Sequence, residues 1–342
     1  MMETGEEAKR LTPAREQEAA VSEQERIAGG MYGLLVGDAL GVPYEFYGAE
    51  ELPPYEEIEM TPPAGFAKTY PNVDAGTWSD DGAQALCLMD SLLKNDGFSL
   101  VDYSDALLAW YEEGIWAVDG VVFDVGVQTA SALCAYKSGL APADCGMVNP
   151  EGKGNGALMR VLPLALWHFL RGNTDQEKRD RELVRDAHSQ CRITHGHMCN
   201  QVCSALYCLV AMALLEGHGS RDAIQRGIRT LRFIYRDQPE YGQEMEWSIR
   251  PDLPWEGNGT GYVIDCLRSA FMILEQASGY EDGVKRAVLL GNDTDTTACV
   301  AGGLLGIRYG IQGIPKRWLR TLKEREKAER LLTDLQAGRS VL

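Results

Sequence analysis

Basic residues are in short supply. The 342-residue chain carries 33 Lys and Arg against 50 Asp and Glu, a formal net charge of −17. That sign argues against a nucleic-acid backbone or an anionic membrane as the main partner. It still permits a phosphate ligand, because a pocket can hold phosphate with backbone amides and one or two cations. No apolar run reaches the roughly 18 uninterrupted residues of a spanning helix. The longest candidate, Val202 to Leu215, has the length of a core helix. Residues 1–26 contain no apolar stretch of the kind a secretory signal needs. The nine cysteines are an odd number and form no CxxC. In a chain this long they do not read as a disulfide scaffold, so a reducing, cytoplasmic setting is expected. Cys191, His195, His197, Cys199 and Cys203 lie close together, but without HxxxH spacing they read as buried structural thiols with nearby histidines rather than a zinc site.

Apolar residues make up 45% and charged residues 24%, enough for a sizeable core. Residues 1–26 hold seven acidic and four basic side chains and read as a polar arm, flexible or ordered by a partner. From Ile27 onward the apolar pattern is helical. Ala85, Leu86, Leu88, Met89, Leu92 and Leu93 follow i, i+3, i+4 spacing, as do Val202, Leu206, Leu209, Val210 and Ala213. Period-2 segments are scarce. Tyr47 to Asp74 and Asp237 to Gly261 read as long loops. With no composition break and no internal repeat, residues 27–342 are expected to form one all-α domain.

Two segments place glycine at every fourth position: Gly29, Gly33, Gly37 and Gly41, then Gly302, Gly306 and Gly310. On a helix such residues share a face. A bare ridge costs roughly 1 kcal/mol of helix propensity per glycine, which close approach of a second helix offsets.

Three segments concentrate carboxylates and hydroxyls. They are Gly37-Asp38-Ala39-Leu40-Gly41 with Glu45, Trp78-Ser79-Asp80-Asp81-Gly82, and Gly291-Asn292-Asp293-Thr294-Asp295-Thr296-Thr297. The second and third sit where helical patterns begin, so N-capping accounts for one polar residue in each. It does not account for paired acids, which repel and raise each other's pKa. A hard divalent cation removes that repulsion, and the absence of His favours magnesium or manganese. A fourth segment, Gly152 to Arg160, reads as a glycine turn running into an apolar helix from Val161 to Leu170. Its open amides, with Arg160 close by, suit an anion. A fifth, Phe123-Asp124-Val125-Gly126-Val127-Gln128-Thr129, precedes another helix. His195 suits a phosphate or sugar contact, or a structural role.

Taken together and in this order, the five segments resemble the ADP-ribosylglycohydrolase family over roughly Arg26 to Leu322. The resemblance rests on Gly33-x3-Gly37-Asp38-Ala39-Leu40-Gly41, Trp78-Ser79-Asp80-Asp81, Gly154-Asn155-Gly156-Ala157 with Met159-Arg160, Thr194-His195, and Gly291 to Thr297. It departs at Ser79, where the family more often has Thr, and at Gly82, where another Thr is common.

The resemblance implies a single compact, orthogonal multi-helix domain with two Mg2+ or Mn2+ ions in a central cleft. Ser79, Asp80 and Asp81 would serve one ion and Asp293 and Thr296 the other, with Asp295 between them. It implies hydrolysis of the glycosidic bond joining ADP-ribose to a protein side chain, with Asp81 and Glu45 as acid–base candidates. Gly126, Gly154, Asn155, Gly156, Arg160 and His195 would hold the ligand. Asp124 resembles a position suited to a guanidinium, which favours ADP-ribosyl-arginine. The expected partner is an ADP-ribosylated protein. The alternative is an immunity protein that occludes an ADP-ribosylating toxin through the 1–26 arm.

Overall fold

The computed structural model describes residues 21–338. The first helix, α1 (Glu23–Gly41), starts on a reciprocal cap. The Glu25 amide donates to the Ser22 hydroxyl at 3.3 Å, and the Ser22 amide donates to the Glu25 carboxylate at 2.8 Å. Residues 23–26 therefore belong to the helical body, not to the 1–26 arm drawn from composition. Residues 1–20 of that arm lie outside the described residues.

Next come α2 (Asp80–Asn95), α3 (Leu100–Glu113), α4 (Val127–Lys137) and α5 (Pro142–Cys145). A central group follows: α6 (Leu162–Arg171), α7 (Gln176–Arg192), α8 (Met198–Leu215), α9 (Ser220–Ile234) and α10 (Pro239–Glu244). The chain ends with α11 (Val263–Gln276), α12 (Tyr280–Val288), α13 (Thr294–Tyr309), α14 (Lys316–Thr321) and α15 (Arg325–Ala337). Among the described residues no strand forms, only an isolated bridge between Gly154 and Tyr262. The protein is all-α, as its periodicity indicated.

The stretch from Tyr47 to Asp74 is a loop with two single-turn 3-10 segments. The stretch from Asp237 to Gly261 differs from expectation. It holds α10 and a π turn, Met245–Ile249, both too short for periodicity to reveal. Helix α8 begins four residues before the apolar run read from sequence. It is apolar enough to span a membrane by length and composition alone, but 94% of it is buried within the molecule, where a core helix belongs.

The glycine ridges explain the central seam. A Cβ on Gly29 would lie 2.1 Å from the Gly306 carbonyl oxygen, one on Gly33 2.4 Å from that of Gly302, and one on Gly37 2.1 Å from that of Ala298. Helices α1 and α13 thus run with their backbones in contact. The seam brings the C-terminal end of α1 beside the N-terminal end of α13: a Cβ on Gly41 would lie 2.4 Å from the Asp295 Cα. The acidic groups of residues 38–45 and 293–296 are joined by that packing.

Candidate active site

Asp38, near the end of α1, is wholly buried and accepts three backbone hydrogen bonds. Two come from the Ser79 amide, at 2.9 and 3.1 Å, and one from the Gly82 amide at 2.8 Å. A side chain of α1 thereby fixes the entry to α2. Burial pushes the Asp38 carboxyl up to about 7, against the lowering effect of those amides. Ser79 caps α2, its hydroxyl accepting from the Asp81 amide at 3.3 Å. It does not line the cleft, so the hydroxyl expected on a metal serves the helix start in this structure.

Asp80 and Asp81, in the first turn of α2, are buried and face the first turn of α13. The Thr296 hydroxyl lies 3.4 Å from Asp81 Oδ1, and the Thr296 amide donates to Asp295 Oδ1 at 2.8 Å. Oxygens of Glu45, Asp293 and Asp295 lie within 4.8 Å of one another. Burial first, and then neighbouring carboxylates, hold the Asp80, Asp81 and Asp295 carboxyls well above their ordinary range. The same causes push Glu45 up to about 9, opposed by a hydrogen bond donated from the Tyr70 hydroxyl at 2.7 Å.

This concentration of acid asks for a counter-charge. Asp81 Oδ2, Asp295 Oδ2 and Thr297 Oγ1 are buried with no hydrogen-bond partner. Oxygen-only donors of this kind fit a hard divalent cation. Glu45 joins this group, although its sequence reading was as an acid–base residue alone.

The groups open into a cleft of about 430 Å3. One wall carries Glu45, Asp80, Asp81, Asp293 and Thr296; another carries Asp124, Gly126, Gly154, Asn155, Gly156 and His195. Eleven of the fourteen residues nominated from sequence line this space; Ser79, Asp295 and Arg160 do not. Asp295 is buried directly behind the wall.

The anion-binding surface is not where the glycine turn suggested. The Gly154 amide donates to Gln128 Oε1 at 3.0 Å and the Asn155 amide to the Gly261 carbonyl at 3.0 Å, so neither is open. Turns over residues 156–160 separate the segment from α6, which starts at Leu162. Of the helix N-termini that line the cleft, that of α4 carries no acid in its first turn. Gly126 caps it without a side chain, and Val127, Gln128 and Thr129 of its first turn line the cleft, Val127 exposed and Thr129 buried. Gly154 and Gly156 make room instead. Cβ atoms there would lie 2.4 Å from Gln128 Oε1 and 2.7 Å from His195 Cε1. Asn155 crosses to the acidic wall, its amide donating to Asp293 Oδ2 at 2.8 Å.

Arg160 requires a correction. It is fully buried behind the cleft and spends its guanidinium on Gln84, Gln190 and Thr194, so it cannot touch a ligand there. His195 stays neutral: burial, with help from the Arg160 charge, pushes its pKa down to about 3.

Sequence reasoning missed Tyr70, Gln84 and the anchoring role of Asp38. Gln84 stands four residues after Asp80 on α2, a spacing that signals contact; Tyr70 lies in a loop where no periodicity applies. The thiol cluster also acquires an unforeseen neighbour: ligand-type atoms of His197, Cys199 and Glu244 lie within 4.8 Å of one another.

An all-helical body that closes an acidic cleft between its early and late helices defines a class. The sequence model of the ADP-ribosylglycohydrolase family matches residues 19–341, and the chain belongs to that family of hydrolases. It is 27% identical to the ADP-ribosylarginine hydrolase Tri1 of Pseudomonas putida (strain GB-1), over 91% of this chain and 78% of the relative. It is 24% identical to the ADP-ribosyl-[dinitrogen reductase] glycohydrolase of Rhodospirillum rubrum, over 90% of this chain and 94% of that one. A solved structure titled ADP-ribosylglycohydrolase-related protein complex superposes with a TM-score of 0.70 at 31% identity, covering 93% of this chain and 99% of that one.

Proposed function

We propose that the chain removes ADP-ribose from modified arginine side chains of proteins, with a pair of Mg2+ or Mn2+ ions in the acidic cleft. The observation that carries the reading is the juxtaposition of the acidic wall with the uncapped start of α4. One surface suits cations and sugar hydroxyls, the other a diphosphate. When bound, the ions would grip the ribose hydroxyls and acidify a coordinated water. Asp80, Asp81, Asp293, Asp295 and Thr296 would hold them, with Glu45 at the edge of the set.

The remaining work falls to the chain itself. Cleavage at C1 of the ribose passes through an oxocarbenium-like state that carboxylates stabilise. Glu45 is the better-placed acid–base residue, because Tyr70 fixes one of its oxygens, whereas Asp81, which also lines the cleft, would be taken up in holding the ions. Asp124 lies on the wall beside α4 with its backbone at φ 52°. Its carboxylate suits the two parallel N–H groups of a guanidinium. Similarity to the ADP-ribosylarginine hydrolase Tri1 supports the choice of arginine.

Release of free ADP-ribose from arginine-, serine- and thymidine-linked substrates, with Mg2+ or Mn2+ and with chelator, tests the reading. Arginine-linked turnover that chelation abolishes is expected. Turnover of another linkage in preference refutes the substrate; full activity in chelator refutes the metal. Asp80→Ala and Asp293→Ala are each expected to abolish release while the fold persists, and near-normal turnover by either would refute the ligand assignment.

A further inference from the structure

A continuous chain of hydrogen bonds runs behind the cleft from its acidic wall to its far side. Gln84 Nε2 donates to Asp80 Oδ2 at 3.0 Å, and Arg160 Nη1 donates to Gln84 Oε1 at 2.5 Å. Arg160 Nη2 donates to Thr194 Oγ1 at 2.7 Å, and Thr194 Oγ1 lies 2.8 Å from His195 Nδ1. We propose that Gln84, Arg160 and Thr194 act as a positioning relay that holds Asp80 in the acidic wall and fixes His195 as the Nε2–H tautomer, donating into the cleft. The part of this that concerns a ligand rests on the proposed ADP-ribose reading; the tautomer does not.

The direction of each bond follows from chemistry. A carboxylate accepts and a guanidinium only donates, so Gln84 can satisfy both neighbours in a single orientation of its amide. At Thr194 the guanidinium again must donate, which uses an oxygen lone pair and leaves the hydroxyl proton for His195 Nδ1. The opposite arrangement, Nδ1–H donating to Oγ1, would leave a fully buried hydroxyl proton with no acceptor. With Nδ1 accepting, the neutral ring carries its proton on Nε2. That nitrogen sits against the glycine turn on the cleft wall: a Cβ on Gly154 would approach it to 3.4 Å.

Arg160 is suited to the centre of this relay. Its guanidinium has no carboxylate hydrogen-bond partner among the described residues, and it lies 5.5 Å from the centre of the Tyr103 ring. Gln190 braces it from the third side, accepting from Nε at 3.2 Å while its own amide donates to the Ala157 carbonyl at 3.0 Å. A fixed cation therefore sits one amide away from Asp80 and one hydroxyl away from His195.

Histidine ring 15N–1H correlation spectra of the full chain, with His195 assigned by its loss in His195→Gln, read the tautomer directly. The wild type is expected to show protonated Nε2 and unprotonated Nδ1. Thr194→Val leaves Nδ1 without its donor, so the exclusive Nε2–H form should give way to a mixture of the two tautomers, and free ADP-ribose should bind about tenfold more weakly, the scale of one hydrogen bond to a charged ligand; Thr194→Ser should restore both. Gln84→Met should weaken Mn2+ binding, measured by electron paramagnetic resonance, and leave the His195 tautomer intact. An Nδ1–H tautomer in the wild type, or no change in Thr194→Val, overturns the His195 arm. Unaltered Mn2+ affinity in Gln84→Met overturns the Asp80 arm. A tautomer that responds as expected in a protein that does not bind ADP-ribose upholds the relay and refutes the ligand reading.

Discussion

Replacing Gly306 by alanine tests the seam on which the acidic cleft is built. The new Cβ would lie 1.9 Å from the Gly29 carbonyl oxygen, 2.6 Å from its carbon and 3.1 Å from Gly33 Cα. All three are backbone atoms of α1, so no side chain can swing aside. Restoring ordinary contact requires the helices to part by about 1.5 Å. Overpacking of this kind costs about 1–3 kcal/mol, and the backbone obstacle places it at the upper end. Alanine returns up to about 1 kcal/mol of helix propensity, leaving a net loss of about 2 kcal/mol. With an m-value near 3 kcal/mol/M, the urea midpoint should fall by roughly 0.7 M. Gly242→Ala is the control: its Cβ would meet Tyr235 at an ordinary 3.8 Å, so propensity should stabilise it slightly. Because the seam holds Asp38 and Glu45 beside Asp295, Gly306→Ala should also weaken Mn2+ binding, whereas Gly242→Ala should not. If Gly306→Ala is as stable as the wild type, or gains stability as the control does, the backbone contact is not what holds these helices.

Stability should depend on pH in a direction set by the buried acids. Asp38 and Glu45 are raised to about 7 and about 9, whereas unfolded carboxylates ionise near 4. Over that interval the folded chain binds more protons than the unfolded one, so stability falls as pH rises. Scanning calorimetry in chelator between about pH 5 and about pH 8 should show a falling melting temperature, with stabilisation by added Mn2+ growing across the same range. A rising melting temperature in chelator would contradict the cluster's electrostatics. Tyr70→Phe removes the donor that favours the ionised form of Glu45 and should lower ADP-ribose release about tenfold or more with little change in unfolding. Equal rates for Tyr70→Phe and wild type would separate Tyr70 from the chemistry.

Much of this architecture was legible in the residues because it has a period. The glycine ridges at every fourth position called for close approach of a second helix, which the α1–α13 seam supplies, and the family resemblance set the two acidic helix starts around one site. What escaped has no period. Arg160 stands in a glycine-rich segment beside apparent anion-binding amides. Its burial is decided by α2 and α7, which supply Gln84 and Gln190 from far along the chain. The amides of Gly154 and Asn155 looked free because Gln128 and Gly261, their acceptors, are brought in by tertiary packing. Tyr70 reaches Glu45 from a loop whose path no local rule dictates.

The union of early and late carboxylates has a consequence for synthesis. Asp38, Glu45, Asp80 and Asp81 leave the ribosome long before Asp293, Asp295 and Thr296, which follow them by more than about 200 residues. Until those last groups arrive, the first four have no partners across the cleft and α1 has no second helix to cover its bare ridge. Translation halted before Gly291 would therefore yield an inert polypeptide in place of a slow catalyst.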